Sequence, residues 1–456
     1  MTAAHAAPPR TGRVPGPPRT ATLSLLMKMA RDRLSVMTSV AAEYGDAVRL
    51  PLGPKTLYFF NHPDHAKHVL ADNAANYHKG IGLVHARRVL GDGLLTSEGD
   101  AWRKQRRVIQ PAFQAKRIAK QAPAVAEEAA KLVGRLRAQE GAGPVDMRAA
   151  MTDLSLGVLG RTLLDADLGA FGELGHAFEA VQDQAMFEMM SLNSVPLWVP
   201  LPKQRAFRRA DAQLERVVDR LVAERSGRPA GDGDDVLSRL IESTRDEADP
   251  QVGRQRLRDE LITLLLAGHD TTASTLGWAL YLIDRNPEVW ERMHAEAVEV
   301  FSGDGFGYED LHRLTYTTMV VEEVMRLYPP VWILPRSALA PDQIGGYRVP
   351  AGADVLVCPY TLHRHPEFWP DPERFDPERF DPGRSANRPR YAYIPFGAGP
   401  RFCVGNNLGM MEATVVLAAL ARDLRLSLTP GYQVVAEPML TLRARGGLPM
   451  TVHCVT

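Results

Sequence analysis

The stretch that most constrains this chain is Tyr393-Ile-Pro-Phe-Gly-Ala-Gly-Pro-Arg-Phe-Cys-Val-Gly405. It holds one cysteine, Cys403, in a run of turn formers and aromatics. Gly397, Gly399 and Pro400 force a tight irregular loop, since glycine accepts positive φ and proline fixes its own. Directly after it, Asn406 to Ala421 reads as a long apolar helix. Cys403 is therefore expected at a helix N-terminus, where open N–H groups and the helix dipole favour a thiolate. Such a thiolate suits a nucleophile or a metal ligand. The loop has no histidine to serve as a base, and Arg401 can hold an anion. A large anionic metallo-cofactor with iron on the sulfur therefore fits better than covalent catalysis.

A second stretch is as unusual. Leu257 to Asp284 is a long apolar helical run, stopped by Asn286-Pro287. In its middle lies Ala267-Gly268-His269-Asp270-Thr271-Thr272, and glycine and threonine are poor interior helix residues. Ala267, Asp270 and Thr271 fall at i, i+3 and i+4, on one face. Small Ala267 and Gly268 leave room against the backbone. Asp270 and Thr271 place an acid and an alcohol beside that room, which is equipment for relaying protons to a bound oxygen species. The plainer alternative is a core helix whose threonines bond back to their own carbonyls. His269 reads as a packed or hydrogen-bonded side chain.

Other pairs follow the same logic. Trp102 and Arg106 are four apart on a predicted helix, so an indole N–H and a guanidinium converge, as suits a carboxylate pair. Arg103, Lys104 and Arg107 then face solvent. Glu323 and Arg326 lie at i, i+3 on a predicted helix, Thr315 to Leu327, among Val320, Val321, Val324, Met325 and Leu327. Buried there, the pair would be expensive to break. Pro-Glu-Arg-Phe then occurs twice, carrying Arg374 and Arg379.

Taken together these residues resemble the cytochrome P-450 family. Phe396, Gly399, Arg401, Cys403 and Gly405 match its heme-binding signature without a mismatch. Ala267, Gly268, Asp270 and Thr271 match its oxygen-activation motif. Trp102 and Arg106 match its Trp-x-x-x-Arg helix, and Glu323 and Arg326 its Glu-x-x-Arg helix. The resemblance runs from roughly residue 40 to the end. It implies a mainly α fold with a small β-region, one triangular domain over residues 21–456 behind a flexible leader, 1–20. It implies heme b (iron protoporphyrin IX) with Cys403 as the proximal iron ligand. Arg401, Phe396, Trp102, Arg106 and Arg336 would hold the cofactor, and Asp270 and Thr271 would handle protons in catalysis. Glu323, Arg326 and Arg379, with Arg374 as the alternative third member, would form a structural triad. Val89, Ala267, Val331, Ile333 and Leu440 would line the substrate pocket, together with Trp332.

The implied reaction inserts one oxygen atom from O2 into a lipophilic substrate, with electrons from a separate ferredoxin or flavodoxin system docking near Arg103, Lys104 and Arg107. The expected substrate is a terpenoid or other secondary metabolite. A fatty-acid hydroxylase is the alternative, and a heme-binding sensor or carrier is the alternative from another class. Composition adds limits. The chain has 54 basic and 54 acidic residues, so its overall balance gives no argument for nucleic acid or an anionic membrane. Cys358, Cys403 and Cys454 make no disulfide framework. The first twenty residues have no apolar core of a signal peptide or membrane anchor. A cytoplasmic monomer is expected. Residues Ala21 to Tyr44 read as one amphipathic helix, with Leu23, Leu26, Met27, Ala30, Leu34 and Met37 on one face. Ala47–Leu52 and Thr56–Phe60 read as a hairpin. Pro63 opens a short helix, and His62, His65 and His68 read as a solvated face.

Overall fold

A computed structural model describes residues 12–53, 55–171, 174–227, 235–245, 247–302 and 306–455. Most of the leader and of the loop at 226–235 thus lie outside the described residues. The chain forms two compact units, each assembled from three segments. The first takes Met1–Val84, Val331–Arg374 and Ser385–Cys403; the second takes His85–Pro330, Phe375–Arg384 and Val404–Thr456.

The first unit is built on a five-stranded sheet. The predicted hairpin is present: strands Ala47–Leu52 and Lys55–Phe60 pair antiparallel, with Ala47 opposite Phe60. Lys55–Phe60 then pairs in parallel with Asp354–Val357. Asp354–Val357 pairs with Leu334–Ala338, which carries Arg336 and pairs in turn with Tyr77–Lys79. Phe60, Val69, Leu70, Val355, Val357 and Ile394 pack on this sheet as its core.

The predicted N-terminal helix is not continuous. Thr22–Arg31 and Arg33–Tyr44 are separate helices, broken at Asp32 (φ −152°). Asp32 accepts hydrogen bonds from the N–H and the hydroxyl of Ser35, the usual action of an N-cap. The break splits the apolar stripe. Leu34 and Met37 are buried, whereas Leu23, Leu26 and Met27 are exposed. The predicted short helix is Pro63–Lys67, continued by His68–Asp72. His68 bonds Asp342 and His365 bonds Asp46, and no metal-binding cluster occurs among the described residues.

The second unit is mostly helical. Its spine is the helix Pro250–Asp284, which starts seven residues before the apolar run. Asp249 caps it by accepting the Gln251 N–H, and Pro250 sits in its first turn, where a missing N–H costs nothing. The helix packs against Met147–Leu159, Thr315–Leu327 and Asn406–Asp423. Helix Thr315–Leu327 has the predicted bounds. Residues 192–201, with prolines at Pro196 and Pro200, lie between helices Leu174–Ser191 and Pro202–Ser226, and Leu192 and Asn193 take positive φ. No helix among the described residues is long and apolar enough to cross a membrane.

Candidate active site

In the first unit, the loop before Cys403 is fixed by its backbone. Gly397 and Gly399 take φ of 70° and 66°. A Cβ on Gly399 would lie 1.9 Å from the Leu70 carbonyl oxygen, so only glycine allows this approach. The Cys403 N–H bonds the Phe396 carbonyl at 3.0 Å, closing the loop. Upstream, the Ile394 N–H bonds His363 at 2.8 Å and the Trp369 indole donates to the Ala392 carbonyl. Arg388 lies 4.0 Å over the Trp369 ring. In sequence Cys403 stands two residues before Gly405, the N-cap of helix Asn406–Asp423.

Of the three cysteines, only Cys403 is exposed. Cys358 is buried and donates to the Trp332 carbonyl; burial pushes its thiol up to about 11. Cysteine is among the most often buried residues, so an exposed thiol beside Phe402, itself exposed, needs a reason. A flat apolar iron-bearing group resting on the sulfur would supply one. Trp332 is buried. Val331, Ile333, Arg336 and Arg401 are half-buried.

In the second unit, the long helix changes character where the sequence does. Leu265 and Leu266 are buried, Ala267 is exposed, Gly268, Asp270 and Thr271 are half-buried, and Thr272 to Leu280 are buried again. An accessible alanine in the middle of a buried helix marks the face that meets something else. The expectation for Gly268 needs correction. A Cβ there would lie 2.8 Å from both δ-carbons of Leu159, so Gly268 serves close packing with helix Met147–Leu159, and the room is at Ala267. Thr271 donates to the Ala267 carbonyl at 2.8 Å. The back-bonded alternative is thus real, and it coexists with access to the same hydroxyl. His269 is buried, bonded through Nδ1 to the Leu265 carbonyl at 2.6 Å and packed 4.8 Å from the Phe178 ring.

Sequence reasoning missed what holds Asp270. Thr441 donates to its carboxylate at 2.5 Å. Ser274 and Trp278 both donate to the Leu442 carbonyl, at 2.5 and 2.7 Å. Asp270, Ser274 and Trp278 lie at i, i+4 and i+8, so one helix stripe stitches down the segment that carries Leu440. The spacing on the helix was readable; its partner, 171 residues away, was not.

Trp102 and Arg106 do share a face of helix Gly99–Ile109, with the guanidinium carbon 5.8 Å from the indole centroid. Arg103 and Lys104 are exposed, but each has an acidic neighbour, Asp100 and Glu247. The acid–base cluster assembles in full. Arg326 donates twice to Glu323, at 2.6 and 2.8 Å, with both residues fully buried. Arg379 lies 3.4 Å from the same carboxylate, which also accepts the Asp376 N–H. Arg379 is buried and Arg374 exposed. Val89 is buried and Leu440 half-buried.

Residues 14–446 match the family model described as cytochrome P-450. The chain is 38% identical to cyclooctatin synthase of Streptomyces melanosporofaciens over 91% of this chain and 90% of that protein. It is 37% identical to cyclooctat-9-en-7-ol 5-monooxygenase of the same organism, over 94% and 93%. It is 32% identical to the chloroplastic carotene epsilon-monooxygenase of Arabidopsis thaliana, over 90% and 80%. The chain therefore belongs to the cytochrome P-450 family and is a monooxygenase that binds heme b.

Proposed function

We propose that the chain oxygenates a terpenoid, with Cys403 as the thiolate ligand of its heme. The observation that carries this is the accessible Ala267–Thr271 face, set in a buried helix and anchored by Thr441. When bound, the heme supplies the redox chemistry that reduces O2 with two electrons. One oxygen atom enters a C–H or C=C bond, and the other leaves as water with two protons.

The chain's part is binding and proton handling. Arg401, Phe396, Trp102, Arg106 and Arg336 bring cations, a ring and an indole N–H suited to an apolar macrocycle with two carboxylates. Ala267 leaves space beside the reacting centre. The Thr271 proton is committed to the Ala267 carbonyl, which turns the hydroxyl lone pairs outward as acceptors for an incoming O–H. Asp270 is held by Thr441, and rotation of its carboxylate away from that hydroxyl would carry protons inward. Glu323, Arg326 and Arg379 serve structure: they pin the segment around Asp376 that leads to the cysteine loop. Electrons come from a ferredoxin or flavodoxin docking where Arg103, Lys104 and Arg107 are exposed, and the protein works as a cytoplasmic monomer.

The terpenoid reading rests on the relatives' substrates and on the charges near Val89. Two relatives are named for an unsaturated alcohol and for carotene, both isoprenoid skeletons. A fatty carboxylate would want an available cation. The cation next to Val89 is Arg88, which bonds buried Glu188 at 3.3 Å and the Asn193 and Val195 carbonyls. Optical titration of the ferric protein tests the reading. A saturable low-to-high-spin shift with a cyclic sesquiterpene or diterpene, and none with a long-chain fatty acid, is expected. The reverse pattern would make the protein a lipid hydroxylase.

A further inference from the structure

Helix Thr22–Arg31 turns its apolar stripe outward. Leu23, Leu26, Met27 and Ala30 fall at i, i+3, i+4 and i+7, on one face. Leu23, Leu26 and Met27 are 69%, 43% and 55% exposed, and within the helix only Leu25 is buried. The next helix behaves in the ordinary way, burying Leu34, Val36, Met37 and Val40. Isolated exposed apolar residues need no explanation, but three neighbours on one helix face do.

Charge says what would cover them. Between Gly12 and Arg33 the cations are Arg13, Arg19, Lys28, Arg31 and Arg33, against one acid, Asp32. That acid is engaged in capping, through Ser35. The whole chain is balanced, with 54 charges of each sign, so the excess is local. A second copy of the chain fits poorly, because a twofold contact would set these cations against themselves. A basic helix with an exposed apolar face, too short to cross a bilayer, suits the plane of an anionic lipid surface.

We propose that Thr22–Arg31 seats the protein reversibly on anionic membrane lipid. Leu23, Leu26 and Met27 enter the acyl boundary, while Arg19, Lys28 and Arg31 reach the phosphates. This is contact with a surface, distinct from anchoring, and it does not depend on which lipophilic substrate is used.

The test is co-sedimentation of the full-length heme-loaded protein with vesicles of phosphatidylglycerol and phosphatidylcholine, or of phosphatidylcholine alone. We expect binding to the anionic vesicles that weakens several-fold between low and high salt. The variant Leu23→Gln/Leu26→Gln/Met27→Gln should bind at least tenfold more weakly, and Lys28→Gln/Arg31→Gln several-fold more weakly. Trp198→Gln removes a 75% exposed tryptophan elsewhere and should bind like wild type. An unchanged CO-difference spectrum in each variant shows that it is folded. The proposal is overturned if the wild type stays in the supernatant, or if the triple variant binds equally well. It is also overturned if only Trp198→Gln loses binding, or if the wild type is a dimer that the triple variant dissociates.

Discussion

Arg374 and Arg379 occupy the same place in two copies of Pro-Glu-Arg-Phe, yet only Arg379 is buried against Glu323. Arg379→Ala removes one of two guanidiniums from a fully buried carboxylate. Arg326→Leu removes the bidentate one and should cost about 3–5 kcal/mol. Arg374→Ala changes an exposed side chain and should stay within about 0.5 kcal/mol. Denaturant midpoints of the three variants check this ordering, with Arg379→Ala between the other two. A second prediction concerns Thr441. Thr441→Val keeps the shape but releases Asp270, so substrate binding by spin shift should hold while product formed per electron pair consumed falls several-fold. Equal coupling in both proteins would mean that the Thr441 hydroxyl has no part in positioning Asp270. At this scale the sequence was legible wherever partners are close in the chain. Glu323 with Arg326, and Trp102 with Arg106, follow from helix spacing alone. Thr441 could not be read, because no local rule joins the residue before a strand to a helix 171 positions earlier.

Among elements, turns and helix ends decide most of what is built. The loop before Cys403 depends on Gly399, where positive φ coincides with contact to the Leu70 backbone. Neither can yield cheaply, so Gly399→Ala should abolish heme retention or lower the unfolding midpoint sharply, whereas Gly397→Ala meets only the φ penalty. The same local chemistry explains the missed boundaries. Asp32-x-x-Ser35 and Asp249-Pro250 are both capping signals; apolar periodicity alone passes over the first and starts too late at the second. Helix Asn406–Asp423 carries a further consequence. Glu412 is buried on it beside Ser155, and burial pushes its carboxyl from 4.5 up to about 8. The folded state therefore keeps a proton that the unfolded chain releases. The Glu412 contribution to stability should fall as pH rises from about 4.5 to about 8, by up to roughly 1.4 kcal/mol per pH unit, and be constant outside that window. Glu412→Gln should remove that slope, as unfolding midpoints measured across the window would show.

At the scale of the whole molecule, the family follows from four short motifs in order, and the substrate does not. Motif residues serve a cofactor common to the family, so their spacing survives any change of substrate. Val89, the Val331–Ile333 segment and Leu440 belong to three separate stretches of chain, and each could equally be core. What the structure adds is a pair of accessible surfaces: the Cys403 thiol after its clamped loop, and the Ala267–Thr271 face of an otherwise buried stretch of the long helix. The claim on which everything rests is that Cys403 binds the heme iron as a thiolate. The CO-difference spectrum of the reduced protein tests it most directly. The account predicts the strongly red-shifted Soret band of thiolate-bound heme in the wild type, absent in Cys403→Ser and kept in Cys358→Ser. A wild-type band at the position of histidine-ligated heme, or a red-shifted band surviving in Cys403→Ser, would contradict it.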